Sequence, residues 1–341
     1  MEQTLEIFFK EEFIFPYIQL DEMNNQHPSW SESSIYLVML SNKYKIIDAK
    51  FENQLLVVKY QDETKNTFHL LSNITIFPFY MPDQYVEIKV VNFGIMLEIE
   101  ITQSGIAFIK KNYSNYYHDS FYHSKISIYD LINLSFQDEE TTQDFTVLYI
   151  GQSITKENGR TIYDRLNDHK KILKIYRDYN TNYQDQEIFI MLLKPDSKLF
   201  NAYTFDERLV TMISGNSEWE STDKLGKTIT KSTIINITET MLIQHFKPKY
   251  NIHFKNSNPT LNIKSYSELH DAEVNEIHIG VNLYFQSTKQ NINLYTTKES
   301  VTSKLRTLKC NIDNLCSKQH NSKIDSEDLS DEMYEIFGLN N

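Results

Sequence analysis

The sequence predicts a protein of the α+β class, on three observations. Short runs of β-branched and aromatic residues with partial period-two alternation fill roughly the first 120 residues. After residue 150 the apolar spacing changes to that of a helix. The chain has 22 Tyr and 20 Phe but only 8 Gly, which favours strands and well-filled cores. Its 341 residues are enough for two or three domains.

The first part of the chain, residues 1–124, is predicted to be an independent β-rich domain. Its strand-like runs are bounded by Asn, Asp, Pro and Gly, and they cover 34–40, 54–60, 67–80 and 85–102. This pattern predicts an antiparallel sandwich or a partly open barrel. The region contains no nucleotide-binding glycine loop, no metal-ligand spacing and no nucleophile motif. We therefore expect it to recognise a substrate or a protein partner.

The central part, residues 125–255, mixes strand and helix signals. A polar run leads into an apolar strand predicted at 145–150, and residues 161–177 carry apolar side chains at helical spacing. Further along the chain we predict a strand at 187–193, a short helix at 206–213, a polar loop at 215–231 and a helix at 238–246.

Residues 256–341 are predicted to form an accessory region with an acidic, partly mobile tail. The pattern predicts a hairpin from 275–284 and 291–296, a helix at 299–315 and a polar stretch at 318–332. Cys310 and Cys316 lie in or directly after the predicted helix, without a nearby cluster of His or Cys. Since a zinc site needs about four such ligands, we expect free thiols.

The charge distribution bears on possible partners. The chain has a formal net charge of −12, whereas residues 141–255 contain 16 Lys and Arg against 14 Asp and Glu, a net charge of +2. The central region is thus the least acidic part, which removes an objection to nucleic-acid binding. The N-terminus has no basic leader, and no window approaches the ~18 apolar residues that span a bilayer. We expect a soluble, cytoplasmic protein without a membrane partner.

Four residues of the central region offer the groups that phosphodiester hydrolysis requires. Glu239 can hold a hard divalent ion such as Mg²⁺ through a carboxylate oxygen. Arg165 has a permanently charged, planar guanidinium suited to phosphate. His169, predicted one turn later on the same helix face, can hydrogen-bond the scissile group or the attacking water. Tyr149 ends a predicted strand, from which its hydroxyl can project into the same site.

The order and spacing of these residues resemble the second half of the active site of GIY-YIG nucleases. The resemblance spans about residues 125–255 and is carried by two motifs: Leu148-Tyr149-Ile150-Gly151-Gln152-Ser153 and Lys247-Pro248-Lys249-Tyr250-Asn251. In that family a small antiparallel sheet flanked by helices carries the tyrosines. The next helix carries an arginine and often a histidine, and a later helix carries the metal-binding glutamate.

The resemblance implies a metal-dependent endonuclease that acts on nucleic acid, most often DNA, with Mg²⁺ or Mn²⁺. It assigns catalytic roles to Tyr149, Arg165, His169 and Glu239, with Glu239 as the metal ligand. It assigns structural or substrate-positioning roles to Gly151, which would permit close approach of DNA or a neighbouring helix, and to Asn251.

The family's first, GIY-like strand is not evident where the family has it. About ten residues before Tyr149 stands Glu139, in a polar run. Ser127-Ile128-Tyr129 lies about twenty residues upstream and would need an enlarged hairpin loop. Tyr129 and Tyr163 are therefore the candidates for the missing tyrosine.

The same residues also have structural explanations. Arg165 could pair with a neighbouring aspartate, and His169 could be a half-buried helix residue. Asn236-Ile237-Thr238-Glu239 fits a helix N-cap followed by a capping glutamate. Asn251 could serve a turn after Pro248.

Two other functions stay open. One is a catalytically decayed nuclease domain that binds nucleic acid or a partner. The other gives the main role to partner binding by the N-terminal region, with the nuclease as effector.

Overall fold

The computed structural model describes residues 3–26, 32–116, 123–135, 141–153, 161–182, 185–201, 229–252, 263–282, 284–285, 290–295, 300–301, 305–312 and 325–328. These residues form one large sheet, two three-stranded sheets and several helices, so the predicted α+β class is confirmed at that level.

The strands are β1 (Gln3–Pro16), β2 (Ile35–Asn42), β3 (Tyr44–Glu52), β4 (Leu55–Asp62), β5 (Thr67–Ile74), β6 (Val86–Val91), β7 (Met96–Ile101), β8 (His123–Ser127), β9 (Thr141–Gln152), β10 (Gln186–Asn201), β11 (Val274–Asn282), β12 (Tyr284–Phe285), β13 (Gln290–Tyr295), β14 (Ser300–Val301), β15 (Leu305–Asn311) and β16 (Asp325–Asp328). The helices are α1 (Leu20–Gln26), α2 (Gln103–Asn112), α3 (Ile128–Ser135), α4 (Ile162–Asp168), α5 (Lys170–Asn182), α6 (Lys231–Phe246) and α7 (Ile263–Asp271).

The large sheet has the strand order β12-β13-β9-β2-β10-β1-β11-β15-β16, and β14 pairs with β13. Its centre, β9-β2-β10-β1, is antiparallel, whereas β13 runs parallel to β9 and β11 runs parallel to β1. Residues 35–41 of β2 are all buried. A strand is buried in this way when both of its faces are covered.

The predicted boundary at residue 124 does not separate two domains at the start of the chain. Strands β1 and β2 belong to the first 124 residues, yet β2 lies between β9 and β10 and pairs with both. The two small sheets, β3-β4-β5 and β6-β7-β8, are built from the chain between β2 and β9. Alternation shows which face of a strand is buried, but it does not identify the neighbouring strand, and this is why the division was wrong.

Apolar side chains cover both faces of the central sheet. On one face Leu37 and Met39 of β2 join a core that includes α3 and α6. On the other face Tyr36 and Val38 join a core that includes α4 and α5. Of the candidate site residues, Tyr36 and Tyr149 lie on the second face, whereas Glu239 is on α6, whose apolar residues join the core of the first face.

Of two predictions for the last third of the chain, one was right only in part and the other was wrong. The predicted hairpin forms only at its tip, where Tyr284 of β12 pairs with Asn291 of β13. Strand β11 pairs instead with β1 and β15, and β13 also pairs with β9. The predicted helix at 299–315 contains strand β15 instead, in which Leu308 and Cys310 are buried and Asn311 is exposed. The Cys310 thiol is buried and donates to the carbonyl of Asn311 over 3.3 Å. Cys316, the predicted helix at 206–213 and most of the predicted polar loop and acidic tail lie outside the described residues.

Glu187 on β10 should make folding stability depend on pH. Its side chain is buried, and burial raises the pKa of its carboxyl group from 4.5 to about 7 against the opposing effects of the Ile188 N–H and Lys43. The folded protein therefore retains a proton that the unfolded chain loses, so stability falls as pH rises from about 4.5 to 7.

We expect Glu187→Gln to match the wild type near pH 4.5 and to be more stable near pH 8. At ~1.36 kcal/mol per pKa unit, the gain at pH 8 is at most roughly 3 kcal/mol. Urea unfolding at several pH values measures it, with Asp48→Asn at an exposed position as the control. A difference that stays constant with pH would contradict this account.

Candidate active site

Two tyrosines meet on neighbouring strands of the central sheet. In the antiparallel pair of β2 and β9, Tyr36 lies opposite Gly151 and Val38 lies opposite Tyr149. Alternate residues of a strand share a face, so Tyr36, Gly151 and Tyr149 project to the same side. The ring centroids of Tyr36 and Tyr149 are 6.0 Å apart.

Gly151 makes room for the Tyr36 ring. A Cβ atom at position 151 would lie 2.5 Å from both Cζ and Oη of Tyr36 and 3.0 Å from Cε1 of Tyr149. Contacts this short do not occur between real atoms of these types. The space above this glycine is therefore filled by an aromatic side chain of β2, rather than by the approach of DNA or of a helix backbone that we had predicted.

The predicted single helix at 161–177 is two helices that meet at His169. Helix α4 begins with a capping box in which Thr161 and Asp164 bond each other's backbone N–H groups, and it ends at Asp168. His169 has extended backbone angles, φ −78° and ψ 108°, so it is not one turn further on the same helix. This break directs the imidazole towards the tyrosines, with its ring centroid 5.7 Å from that of Tyr149 and 6.5 Å from that of Tyr36.

The backbone of α5 fixes the hydrogen-bonding role of one imidazole nitrogen. The N–H of Lys171 donates to Nδ1 of His169 over 3.3 Å. Because Nδ1 accepts, the proton of the neutral ring resides on Nε2. His169 can therefore offer an N–H donor through Nε2 while it caps α5.

Glu239 lies in the middle of α6 rather than near its start. Thr230 is the N-cap of this helix, and its hydroxyl accepts from the N–H of Thr233. The capping explanation for Glu239 is therefore wrong. Asn236, which we had considered as an N-cap, accepts a hydrogen bond from Nε2 of Gln152 over 3.1 Å and ties α6 to the end of β9.

The site combines a largely buried carboxyl group with two cations. Burial raises the pKa of Glu239 to about 7, and Arg165 and Lys171 act in the opposite direction. The Nζ atom of Lys171 lies 5.3 Å from the ring centroid of Tyr149. Burial also raises the pKa of Tyr36 and of Tyr149; Glu239 adds to both increases, whereas Arg165 opposes them. Glu239 and Arg165 therefore act electrostatically on both tyrosines, and Arg165 and Lys171 act on Glu239.

Two polar atoms of the site are buried without a hydrogen bond of ordinary geometry among the described residues. They are Oη of Tyr36 and Nε of Arg165. A buried polar group without a partner costs about 1–3 kcal/mol. Both atoms are chemically able to bind a phosphate oxygen or a water molecule.

Asn251 has a structural role that its position in the motif did not reveal. Its Oδ1 accepts from the N–H of Ile150 over 3.0 Å, and its Nδ2 donates to the carbonyl of Ile150 over 2.8 Å. The adjacent Tyr250 N–H donates to the carbonyl of Leu148. The turn after α6 is thus attached to β9, the strand that carries Tyr149.

Asn251→Ala should destabilise the fold. It removes two buried hydrogen bonds and leaves the N–H and C=O groups of Ile150 unpaired, at roughly 1–3 kcal/mol for each group. We expect a loss of about 2–4 kcal/mol in urea unfolding, compared with almost none for Gln103→Ala at an exposed helix position. Equal unfolding midpoints for the two variants would show that the amide does not support β9.

The two tyrosines proposed from sequence for the missing position lie elsewhere. Tyr129 packs against Phe189 in the core on the opposite face of the sheet, and its hydroxyl donates to the carbonyl of Asn42. Tyr163 donates to Asp21 of α1 over 2.7 Å. The structure instead brings in Tyr36, which is 113 residues before Tyr149.

A signal for Tyr36 was present in the sequence. Ser34-Ile35-Tyr36 and Ser127-Ile128-Tyr129 are the same tripeptide, and both lie upstream of Tyr149. Only the second copy, which is nearer to Tyr149 along the chain, was considered as the missing strand. Proximity in sequence was a poor guide, since β2 pairs with β9 although β3 to β8 lie between them in the chain.

The described residues contain no group of three or more His, Cys, Asp or Glu side chains arranged to hold a metal ion. A metal at Glu239 would thus depend on few protein ligands. Among the same residues, no helix is both long enough and apolar enough to cross a bilayer. No family model, curated protein or solved structure matches the chain, so the function has to be inferred from this geometry.

Proposed function

We propose that the protein is a metal-dependent endonuclease of the GIY-YIG type, which hydrolyses phosphodiester bonds, most simply in DNA. The observation that carries the proposal is that the strand of Tyr36 pairs with the strand of Tyr149, so that the two tyrosines lie side by side. Arg165, His169 and Glu239 supply the other groups of the same site. In that family the first tyrosine is on a strand that pairs with the YIG strand. Tyr36 occupies the equivalent position, and the small sheets are an insertion in place of a short loop.

Each of these side chains has a role in hydrolysis. Arg165 binds the phosphate and stabilises the charge that builds up on its oxygens. Tyr36, whose buried hydroxyl interacts with Arg165 and Tyr149 but forms no hydrogen bond of ordinary geometry among the described residues, orients the attacking water. Tyr149 keeps its proton, because burial raises its pKa, and it donates a hydrogen bond. His169 donates a hydrogen bond from its Nε2–H to the departing oxygen.

The residues present fit a divalent cation. The carboxyl group of Glu239 is largely buried and only partly compensated by Arg165 and Lys171, so a metal ion would stabilise its charged form. Mg²⁺ in particular is often held by one or two carboxylates while it retains water ligands. Glu239 would hold Mg²⁺ or Mn²⁺, which when bound supplies positive charge that stabilises the phosphate.

A decayed site that binds nucleic acid or a protein partner is the alternative. Two observations favour it: Tyr36 is fully buried and Tyr149 is only 7% exposed, and the chain as a whole carries a net charge of −12. If partner binding is the main role, the two small sheets formed by β3 to β8 are the module available for it, since β1 and β2 belong to the central sheet.

The test is nicking of supercoiled plasmid by the purified full chain with Mg²⁺, Mn²⁺ or EDTA. We expect divalent-dependent nicking that Tyr36→Phe reduces by about 10²-fold or more. Tyr163→Phe is the matched control, because it also removes one hydroxyl but from outside the site. Wild-type protein that cleaves neither DNA nor RNA would reject the nuclease and favour the decayed domain.

A further inference from the structure

Helix α5 has one basic face. Lys170, Lys174 and Arg177 are exposed, and their spacing of four and three residues places them on the same side of the helix. The opposite side packs on the sheet through apolar residues that include Ile172 and Ile175. The basic side chains are therefore held on a rigid element and directed away from the core.

This face begins at the candidate active site. His169 immediately precedes Lys170, and Lys171 lies over the ring of Tyr149. Lys174 and Arg177 follow on the exposed side of the helix. Positive charge thus extends from the end of α5 beside the tyrosines as far as Arg177.

The charge of α5 contrasts with that of the chain. The helix contains four basic residues and one acidic residue, Asp178, for a net charge of +3 in a protein of net charge −12. Asp178 accepts a hydrogen bond from the hydroxyl of Tyr250. Within the described residues no carboxylate forms an ion pair with Lys170, Lys174 or Arg177. A local basic face on an acidic protein is suited to binding an anionic polymer.

We propose that the exposed face of α5 binds the phosphate backbone of the nucleic acid and guides the strand into the site. This inference rests on the proposed function and names the surface that holds its substrate. Lys170 and Arg177 are seven residues apart, which is about 10 Å along a helix. One DNA strand carries a phosphate about every 3.4 Å along the duplex axis, so the basic face is long enough to contact about three successive phosphates of one strand.

The experiment measures binding of the full chain to a DNA duplex of about 20 base pairs, by fluorescence anisotropy in EDTA across a range of salt concentrations. The test variant is Lys170→Gln/Lys174→Gln/Arg177→Gln. Loss of three phosphate contacts should reduce the slope of log K against log salt by about 2.7 and lower the affinity near 0.1 M salt on the order of 10²-fold. The matched control is Lys65→Gln/Lys111→Gln/Lys264→Gln, three exposed positions outside α5 with the same charge change.

An equal loss in both triple variants would overturn the proposal, because it would reflect overall charge. Binding to vesicles of anionic lipid that depends on α5, without binding to nucleic acid, would also overturn it. Urea unfolding verifies that the variants fold, and Lys174→Gln alone should reduce the slope by about 0.9 if the triple variant is unstable.

The inference and the nuclease can fail separately. If the wild type nicks plasmid and the α5 variant nicks it with unchanged salt dependence, the binding surface is wrong and the nuclease stands. If the wild type never cleaves but its binding depends on α5 with the expected slope, the nuclease is wrong and the surface stands.

Discussion

Glu239→Gln should abolish divalent-dependent cleavage while the fold and nucleic-acid binding are retained. Glutamine preserves the size of the side chain and most of its hydrogen-bonding capacity, but it removes the charge that would hold the metal. The substitution does not remove a helix cap, because α6 begins at Lys231 and Glu239 is in its interior. We expect plasmid nicking to fall by at least ~10²-fold. Loss of a residue that only supports a metal ligand costs up to about 10²-fold, and Glu239 would bind the metal directly.

The folding stability of this variant gives an independent check on the site. Burial raises the pKa of Glu239 to about 7, so above this pH the wild type carries a poorly solvated charge that glutamine lacks. We therefore expect Glu239→Gln to be at least as stable as the wild type near pH 8 without divalent ions. A large loss of stability would mean that the carboxylate serves the fold, and unchanged nicking would remove it from the catalytic site.

Arg165→Ala separates cleavage from binding. It should stop nicking and also weaken binding to nucleic acid, because a phosphate contact is lost as well. Glu239→Gln should affect only the first of these measurements. A protein that binds without cleaving would be insensitive to Glu239→Gln in both assays, with Asp48→Asn as the exposed-carboxylate control.

Gly151→Ala should destabilise the protein and reduce nicking at the same time. The added methyl group would lie 2.5 Å from the ring of Tyr36, so either the ring or β9 must move. Overpacking of this kind typically costs about 1–3 kcal/mol. The displacement also moves the Tyr36 hydroxyl, so activity should fall by more than the folded fraction alone explains.

Two comparisons show whether the ring is the cause. In a Tyr36→Leu background the clash with Cζ and Oη is absent, so Gly151→Ala should cost at least ~1 kcal/mol less than in the wild type. Gly280→Ala on β11 is the matched control, because a Cβ there meets no atom within 4 Å. Equal costs at positions 151 and 280 in urea unfolding would contradict the packing of Tyr36 over Gly151.

The sequence predicted the local elements around the site better than their arrangement. The strand expected at 145–150 lies within β9, and the strand expected at 187–193 lies within β10. Such strands can be recognised in the sequence, because a strand that is covered on both faces needs apolar side chains on both faces and therefore forms a continuous apolar run. The helix expected at 238–246 is also present, but it begins seven residues earlier, at Lys231. Its first turns contain Thr and Ile, which have modest helix propensity and form a helix here because they are buried.

Only the tertiary structure shows which tyrosine lies beside Tyr149. Sequence by itself determined that Tyr149, Arg165 and Glu239 belong to a strand and two helices of the central region, through apolar periodicity and spacing. It did not determine that β2 pairs with β9. Hydrogen bonds between strands are made by the backbone, which is the same for every residue, and the strand partner is selected by packing on both faces of the sheet. For that reason Tyr36 lies beside Tyr149, while the nearer Tyr129 lies in the core on the opposite face.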